Sequence, residues 1–228
     1  MPKHLLCAVG ACVILTSAPA AAQQTLNLSI GYFAPNGADA RARGDVLAAN
    51  QSFLTFDIED FGGATVGGEW LVPIGQFLEG GVGVGFSRRT VHTVYSDFVD
   101  NDGTEIEQDL RLRIVPIAFT FRVTPLGQSS PVQPYLGAGL GIFSWRYSET
   151  GEFVDFSAQR AIFRDSFVAS GSEPGSIVLG GIRFVGERVS TGFEIRHQRA
   201  RADLASGFEG DILDLGGWTY QLTVGARF

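Results

Sequence analysis

Cysteine occurs in this 228-residue chain only at Cys7 and Cys12, and lysine only at Lys3. Beyond residue 12 there is no thiol, which excludes a disulfide framework or a cysteine-based metal site in the body of the chain. Basic residues are in the minority, 17 against 24 acidic ones for a formal net charge of -7, and that balance argues against nucleic acid as a partner. Long apolar runs are missing too. A membrane-crossing helix needs about 20 apolar residues, and after Thr16 no stretch approaches that length without a charge, a Gly or a Pro.

The one apolar run lies at the start. Met1-Pro2-Lys3-His4 is a short basic opening, Leu5 to Thr16 is apolar, and Ala18-Pro19-Ala20-Ala21-Ala22 offers small residues for cleavage before Gln23. Residues 1–22 are expected to be a cleaved signal peptide, leaving one domain over residues 23–228. Both cysteines fall inside that signal. Val9-Gly10-Ala11-Cys12 has the outline of a lipoprotein box, yet the chain stays apolar past Cys12 and a better cleavage site follows, so lipidation is not expected.

What is abundant is alternation. The last eleven residues put Trp218, Tyr220, Leu222, Val224, Ala226 and Phe228 on one face of a strand, and Thr219, Gln221, Thr223, Gly225 and Arg227 on the other. Leu26, Leu28, Ile30 and Tyr32 repeat the pattern, as do Leu78, Val82, Val84 and Phe86 set against Glu79, Gly81, Gly83 and Gly85. The glycines suit a crowded interior.

Read this way, the chain holds about eight strands, near 25–33, 64–74, 77–95, 108–123, 135–147, 176–185, 189–198 and 218–228. Asp100-Asn101-Asp102-Gly103 is a hairpin signal, while 148–174 and 199–214 read as long loops. Leu110, Leu112 and Ile114 keep one parity and Ile117, Phe119, Phe121 and Val123 the other, with the phase changing at Pro116. Proline donates nothing to a ladder, so a bulge or bend is expected at Pro116.

Short and long connections alternate, as in membrane barrels. The expected fold is all-β: a closed antiparallel up-and-down transmembrane β-barrel, with short periplasmic turns and long outer loops. Phe77, Tyr135, Phe184 and Phe228 are expected at the periplasmic rim, and Tyr32, Trp145, Tyr147 and Trp218 at the outer one. The alternative is a soluble sandwich with these aromatics in its core.

The blocks Gln108-Asp-Leu-Arg-Leu-Arg-Ile-Val-Pro116 and Pro131-Val-Gln-Pro-Tyr-Leu-Gly-Ala-Gly-Leu-Gly141, together with the closing strand, resemble the small bacterial outer-membrane barrel proteins. That type includes OmpW, the OmpA membrane domain and the opacity-type proteins. In this resemblance Tyr220, Leu222, Val224 and the terminal Phe228 stand as the assembly signal. It implies residence in the bacterial outer membrane, with lipid, lipopolysaccharide and the barrel-assembly machinery as partners, and no cofactor.

An eight-stranded barrel is just wide enough for its own side chains. Inward parity delivers Glu69, Glu79, Arg122, Arg183, Glu194, Arg196 and Arg227, and opposite charges so confined should pair, because an unpaired buried charge is costly. The expected protein therefore has a largely plugged polar lumen and a structural or surface-interaction role. Two alternatives stay open. The same residues line a narrow ion path, or the phase change at Pro116 and the glycine-rich strands mark a lateral opening for small hydrophobic solutes. The loop aromatics Phe53, Phe56, Phe61, Phe98, Phe153, Phe156, Phe163 and Phe167 would then form a pocket, or else simply fold over one another as a cap.

A lipid-modifying enzyme is the remaining reading. It would want a His and a Ser two strand positions apart; Ser96 stands four beyond His92, about 13 Å along a strand, and Gln198 and Arg199 follow His197. Catalysis is not expected. The acidic run Asp97, Asp100, Asp102, Glu105, Glu107 and Asp109 lacks the order of a calcium loop. Arg88, Arg89, Arg199 and Arg201 are placed to meet lipopolysaccharide phosphates, for which guanidinium groups are geometrically suited.

Overall fold

Eight long strands close into a ring. The computed structural model describes residues 23–100, 102–155 and 160–228; the expected signal peptide, with Cys7 and Cys12, and Phe156 lie outside the described residues. The strands are β1 (Thr25–Pro35), β2 (Gly63–Ile74), β3 (Leu78–Val99), β4 (Glu105–Val123), β5 (Val132–Asp155), β6 (Ala161–Val185), β7 (Val189–Asp203) and, after a three-residue β8 (Ile212–Asp214), β9 (Gly217–Arg227). Each long strand pairs antiparallel with the next, and β9 returns to β1, so the ring has no open edge. The closing seam runs from Thr25↔Arg227 to Pro35↔Gly217, and places Leu28 beside Val224 and Ile30 beside Leu222. Short β8 pairs with the end of β7, and its Ile212 forms a single parallel bridge with Asp45.

Alternation then sorts the side chains. Leu28, Ile30, Phe119, Phe121, Leu136, Leu140, Leu222 and Val224 all point outward and are exposed. A soluble sandwich would bury these side chains; here they form an apolar belt around a polar interior, the inside-out arrangement of a membrane barrel. Trp70, Phe77, Phe184 and Phe228, with Tyr32 and Trp218, are also exposed. Tyr135, Trp145 and Tyr147 are not, contrary to expectation: their parity turns them inward, where they are buried.

The short turns lie at one end, together with the start of β1 and the end of β9, where Gln24 and Phe228 exchange backbone hydrogen bonds of 2.8 and 3.0 Å. At the other end the strands continue past the belt. The segment expected as a loop from residue 148 to 174 is instead the tall β5–β6 hairpin, paired without interruption from Val132↔Phe184 to Asp155↔Ala161. Alternation continues there, but with polar residues outside, such as Ser148, Ser166 and Ser172, which have the composition of a loop.

The same inversion corrects the expectation at Pro116. Strand β4 keeps one parity throughout: Leu110, Leu112 and Ile114 face inward and are buried, while Ile117, Phe119, Phe121 and Val123 face outward. No register shift occurs at Pro116. Pairing with β3 is interrupted between Val84↔Ile117 and Ser87↔Ile114 and resumes in unchanged register; the bulge in this ladder lies between Val94 and Val99. What changes at Pro116 is the surroundings, as the strand leaves the apolar belt and its greasy face becomes the inner one.

That upper interior is closed by chain from above. Between β1 and β2 the backbone forms a short helix, α1 (Val46–Asn50), and two 3-10 turns. Asp45 caps α1 by accepting from the amides of Leu47 and Ala48 at 3.0 and 3.2 Å. Arg41 holds the same carboxylate at 2.6 and 2.9 Å, and Asp45 also accepts from Asp214 N at 2.7 Å, tying the segment to β8. Val46, Leu47, Leu54, Ile58 and Phe61 are thereby buried against Leu110, Leu112, Phe143 and Leu213 in one apolar cluster.

Candidate functional site

Within the belt, the interior is crossed by ion pairs in two storeys. In the first, Arg122 of β4 donates through Nη2 to Glu69 of β2 and, at 2.9 Å, to Glu194 of β7. Arg196 donates to Glu194 Oε1 at 2.6 Å through Nη2 and at 3.0 Å through Nε, and to Glu69 Oε2 at 3.2 Å. Thr120, Tyr135 and Gln221 add donors to the same two carboxylates at 2.9, 2.9 and 2.8 Å. Two glutamates and two arginines thus balance, with their oxygens satisfied.

The second storey lies nearer the short turns. Arg183 of β6 places Nη1 and Nη2 each 3.1 Å from Glu79 Oε1, and its Nε and Nη2 donate to Gln133 Oε1 at 3.1 and 2.7 Å. The Tyr135 ring stands between the storeys, 5.0 Å from Arg122 Cζ and 6.0 Å from Arg183 Cζ, which are cation–π distances. Crowding explains one glycine: a Cβ at Gly81 would come within 2.6 Å of Thr120 Oγ1 and 2.8 Å of Glu69 Oε1. A lumenal cavity of about 50 Å³ remains, touching Glu69, Arg196 and Gln221 on one side and Gly85 and Pro116 on the other.

Six of the seven charged residues singled out by parity meet in these two clusters. The seventh, Arg227, does not: it ends β9 at the short-turn rim, where its Nη1 donates to Gly186 O at 2.6 Å. Tyr135, Thr120, Gln133 and Gln221 join the network although the sequence reading did not single them out for it. For Thr120, Gln133 and Gln221 the signal existed, since they share the inward parity; Tyr135 had been placed at the rim.

At the long-loop end the aromatics gather. Phe153 stacks on Phe163 with centroids 5.7 Å apart and meets Phe167 edge-on at 4.9 Å, while Phe167 and Tyr147 both contact Phe208. Phe53 lies 5.7 Å from Tyr95, which in turn meets Phe98 at 6.4 Å. Phe56 and Phe61 form a separate edge-on pair. Between the first two groups opens a cavity of about 280 Å³, with Asn50, Gln108 and Glu149 at its polar wall. Burial holds the Glu149 carboxyl above the ordinary carboxylate range, against the opposing hydrogen bonds from Asn50 and Tyr147.

Outside the barrel, just above the belt, three arginines stand abreast. The registers Arg88↔Arg113 and Arg113↔Arg146 put one on each of β3, β4 and β5, all exposed and on the same face. Like charges directly opposite on a sheet repel. His92 lies higher on this outer face, 3.1 Å from Asp109, and Asp102 accepts from Thr104 at the hairpin tip, which holds its carboxyl below the usual range. Among the described residues no cluster of His, Cys, Asp and Glu is arranged to hold a metal ion.

No family model and no curated protein matches this sequence. Solved structures do resemble it. Neisserial surface protein A is 13% identical, with 92% of this chain and 100% of that one covered, at a TM-score of 0.47. The N-terminal β-barrel domain of Pseudomonas aeruginosa OprF is 12% identical over 90% of this chain and 97% of the other, at 0.38. Ail, the attachment invasion locus protein of Yersinia pestis, in complex with the heparin analogue sucrose octasulfate, is 12% identical over 90% and 99%, at 0.40. The chain has the fold of the small outer-membrane β-barrels. Its closed ring and outward apolar belt show that fold.

Proposed function

We propose that this protein resides in a bacterial outer membrane as a closed barrel, with a sealed lumen and a structural or surface-interaction role carried by its long-loop end. The observation that carries the proposal is the pairing of Arg122, Arg183 and Arg196 with Glu69, Glu79 and Glu194 across the interior. Charges paired across so narrow a barrel leave no continuous water path, and the apolar cluster under α1 forms a second seal above them. In this reading the short turns face the periplasm, the Arg88–Arg113–Arg146 row meets lipopolysaccharide phosphates, and no step of catalysis is assigned.

A lateral opening for small hydrophobic solutes is the second reading, favoured by one observation: the lumenal cavity reaches the wall at Gly85 and Pro116, where the β3–β4 ladder is interrupted.

Single-channel recording on the refolded protein, its folding verified by heat-dependent gel mobility, tests the sealed lumen. Silence in planar bilayers is expected. Discrete, reproducible conductance steps would overturn the seal and make the ion pairs the lining of a path.

A further inference from the structure

The cavity at the long-loop end is walled in an unusual way. Phe53, Tyr95, Phe153, Phe163, Phe167 and Phe208 present aromatic surface to it, contributed by β3, β5, β6 and two loops. Its polar wall offers acceptors. The Glu149 Oε1 atom accepts from Asn50 Nδ2 at 2.7 Å and from Tyr147 OH at 2.8 Å, and no arginine or histidine pairs with Glu149 among the described residues. Asn50, 1% exposed, spends its amide hydrogens on Glu149 and Tyr147, leaving a buried Oδ1 without a partner. Gln108 likewise spends its Nε2 donors on Tyr95 OH and Glu152 O. Glu209 adds a second carboxylate at the exposed edge.

Among its described lining residues this aromatic box holds a buried carboxylate without a cationic partner and lacks one thing, a positive charge; Arg160, whose Cζ lies 5.2 Å from the Phe98 ring, stands outside that lining. We propose that this cavity binds a small organic cation, an aryl- or alkylammonium, whose charged head lies against the aromatic faces and Glu149 while its apolar body fills the box. Aromatic faces attract cations through their quadrupole, and quaternary ammonium groups are recognised by such cages. An anion would meet Glu149 and Glu209, and a neutral apolar solute would bring no charge to the carboxylate. The volume is at the small end of ligand pockets, about 300 Å³, which limits the occupant to a single ring or short chain. This inference deepens the reading of the long-loop end as the working surface, and it is independent of whether the lumen conducts.

The test is calorimetric titration of the full refolded protein in a maltoside detergent, since choline and amine-oxide detergents would themselves fill the box. The probes are benzyltrimethylammonium, its neutral isostere neopentylbenzene, and the anion 3-phenylpropanoate. The cation is expected to bind about tenfold or more tightly than either. Glu149→Gln keeps the shape and should weaken the cation about fivefold while leaving the neutral probe unchanged; Phe167→Leu, which keeps apolar bulk but removes a ring face, should also weaken it. Equal affinity for cation and isostere would overturn the proposal in favour of a plain greasy pocket, as would cation binding indifferent to Glu149→Gln. Absence of binding to protein whose gel mobility shows a folded barrel would end it outright, and if that protein is also silent in bilayers the sealed lumen stands without it.

Discussion

Arg122 on β4 reaches across the barrel to Glu194 on β7 at 2.9 Å while the same nitrogen holds Glu69 on β2, so a single guanidinium joins three strands that are not neighbours in the sheet. Removing one partner from a buried pair leaves an uncompensated charge, at a cost of about 3–5 kcal/mol. Arg122→Met should therefore lower the unfolding free energy of the refolded barrel, read by denaturant titration, by an amount in that range. Adding Glu194→Gln should recover part of the loss, because the double variant restores charge balance. Additive losses in the two single variants would show that the pair is not coupled.

The packing around that pair sets a second expectation. Gly81→Val drives a side chain into Thr120 and Glu69, and overpacking of this kind costs about 1–3 kcal/mol. Gly68 is the control: a Cβ there would meet nothing closer than Asn27 O at 3.6 Å, so Gly68→Val should shift stability by no more than about 0.5 kcal/mol. Equal unfolding midpoints for the two variants would contradict the crowded interior.

Parity alone carried much of this into view from the sequence. Strict alternation of Leu222, Val224 and Phe228 against Gln221, Thr223 and Arg227 marks both faces of β9, and the same rule placed Glu69, Glu79, Arg122, Arg183, Glu194 and Arg196 inside. It failed where the environment inverts. Above the belt the greasy side chains Leu110, Leu112, Trp145 and Tyr147 are the inner ones, so a rule that equates apolar with outward mistakes the crossing at Pro116 for a break in the strand. Asn50 and Glu149 were illegible for a different reason: their meeting depends on a loop folding back over the mouth, a contact 99 positions apart that no local period records.

Pro116 itself gives a third prediction. It interrupts the β3–β4 ladder without shifting its register, so Pro116→Val should supply the missing donor and close the gap. A typical ladder hydrogen bond contributes about 0.5–1.5 kcal/mol. The unfolding free energy should rise by that amount in equilibrium unfolding. A fall would mean that the ring's contact with Gly85 stabilises the wall more than a hydrogen bond would.

Glu149 is expected to make the long-loop end sensitive to pH. Around it stand Asn50 from α1, Tyr147 from its own strand, Glu209 from the β7–β8 connection, and Tyr95 and Gln108 from β3 and β4. Burial raises its folded value above the unfolded one, so the folded state holds the proton more tightly. Its favourable contribution is then present below the ordinary glutamate value, about 4.3, and is lost as pH rises through the raised folded value. Wild type should lose stability relative to Glu149→Gln over that interval, read from unfolding midpoints across a pH series. Parallel pH profiles would place the carboxylate in water rather than in the wall.

The arginine row on the outer face is a more severe case of unbalanced charge than anything in the lumen. Three guanidinium groups abreast on β3, β4 and β5 repel one another unless an anion lies across them, and Arg binds phosphate oxygens in a two-pronged geometry that Lys cannot copy. Because Arg88, Arg113 and Arg146 sit immediately above the apolar belt, the proposed function has them meet an anion fixed at that height, the phosphate of a membrane glycolipid. Arg113→Glu reverses the central charge and should reduce lipopolysaccharide co-purification by about tenfold, a loss equivalent to about 1.4 kcal/mol. Arg113→Lys should lose less, retaining charge but not the fork. In phosphatidylcholine vesicles, where each phosphate is already balanced by its own choline and no net negative charge is offered, Arg113→Glu should fold as well as wild type or better, since it relieves the repulsion. If lipopolysaccharide retention is unchanged by charge reversal, the row is a surface the lipid does not use.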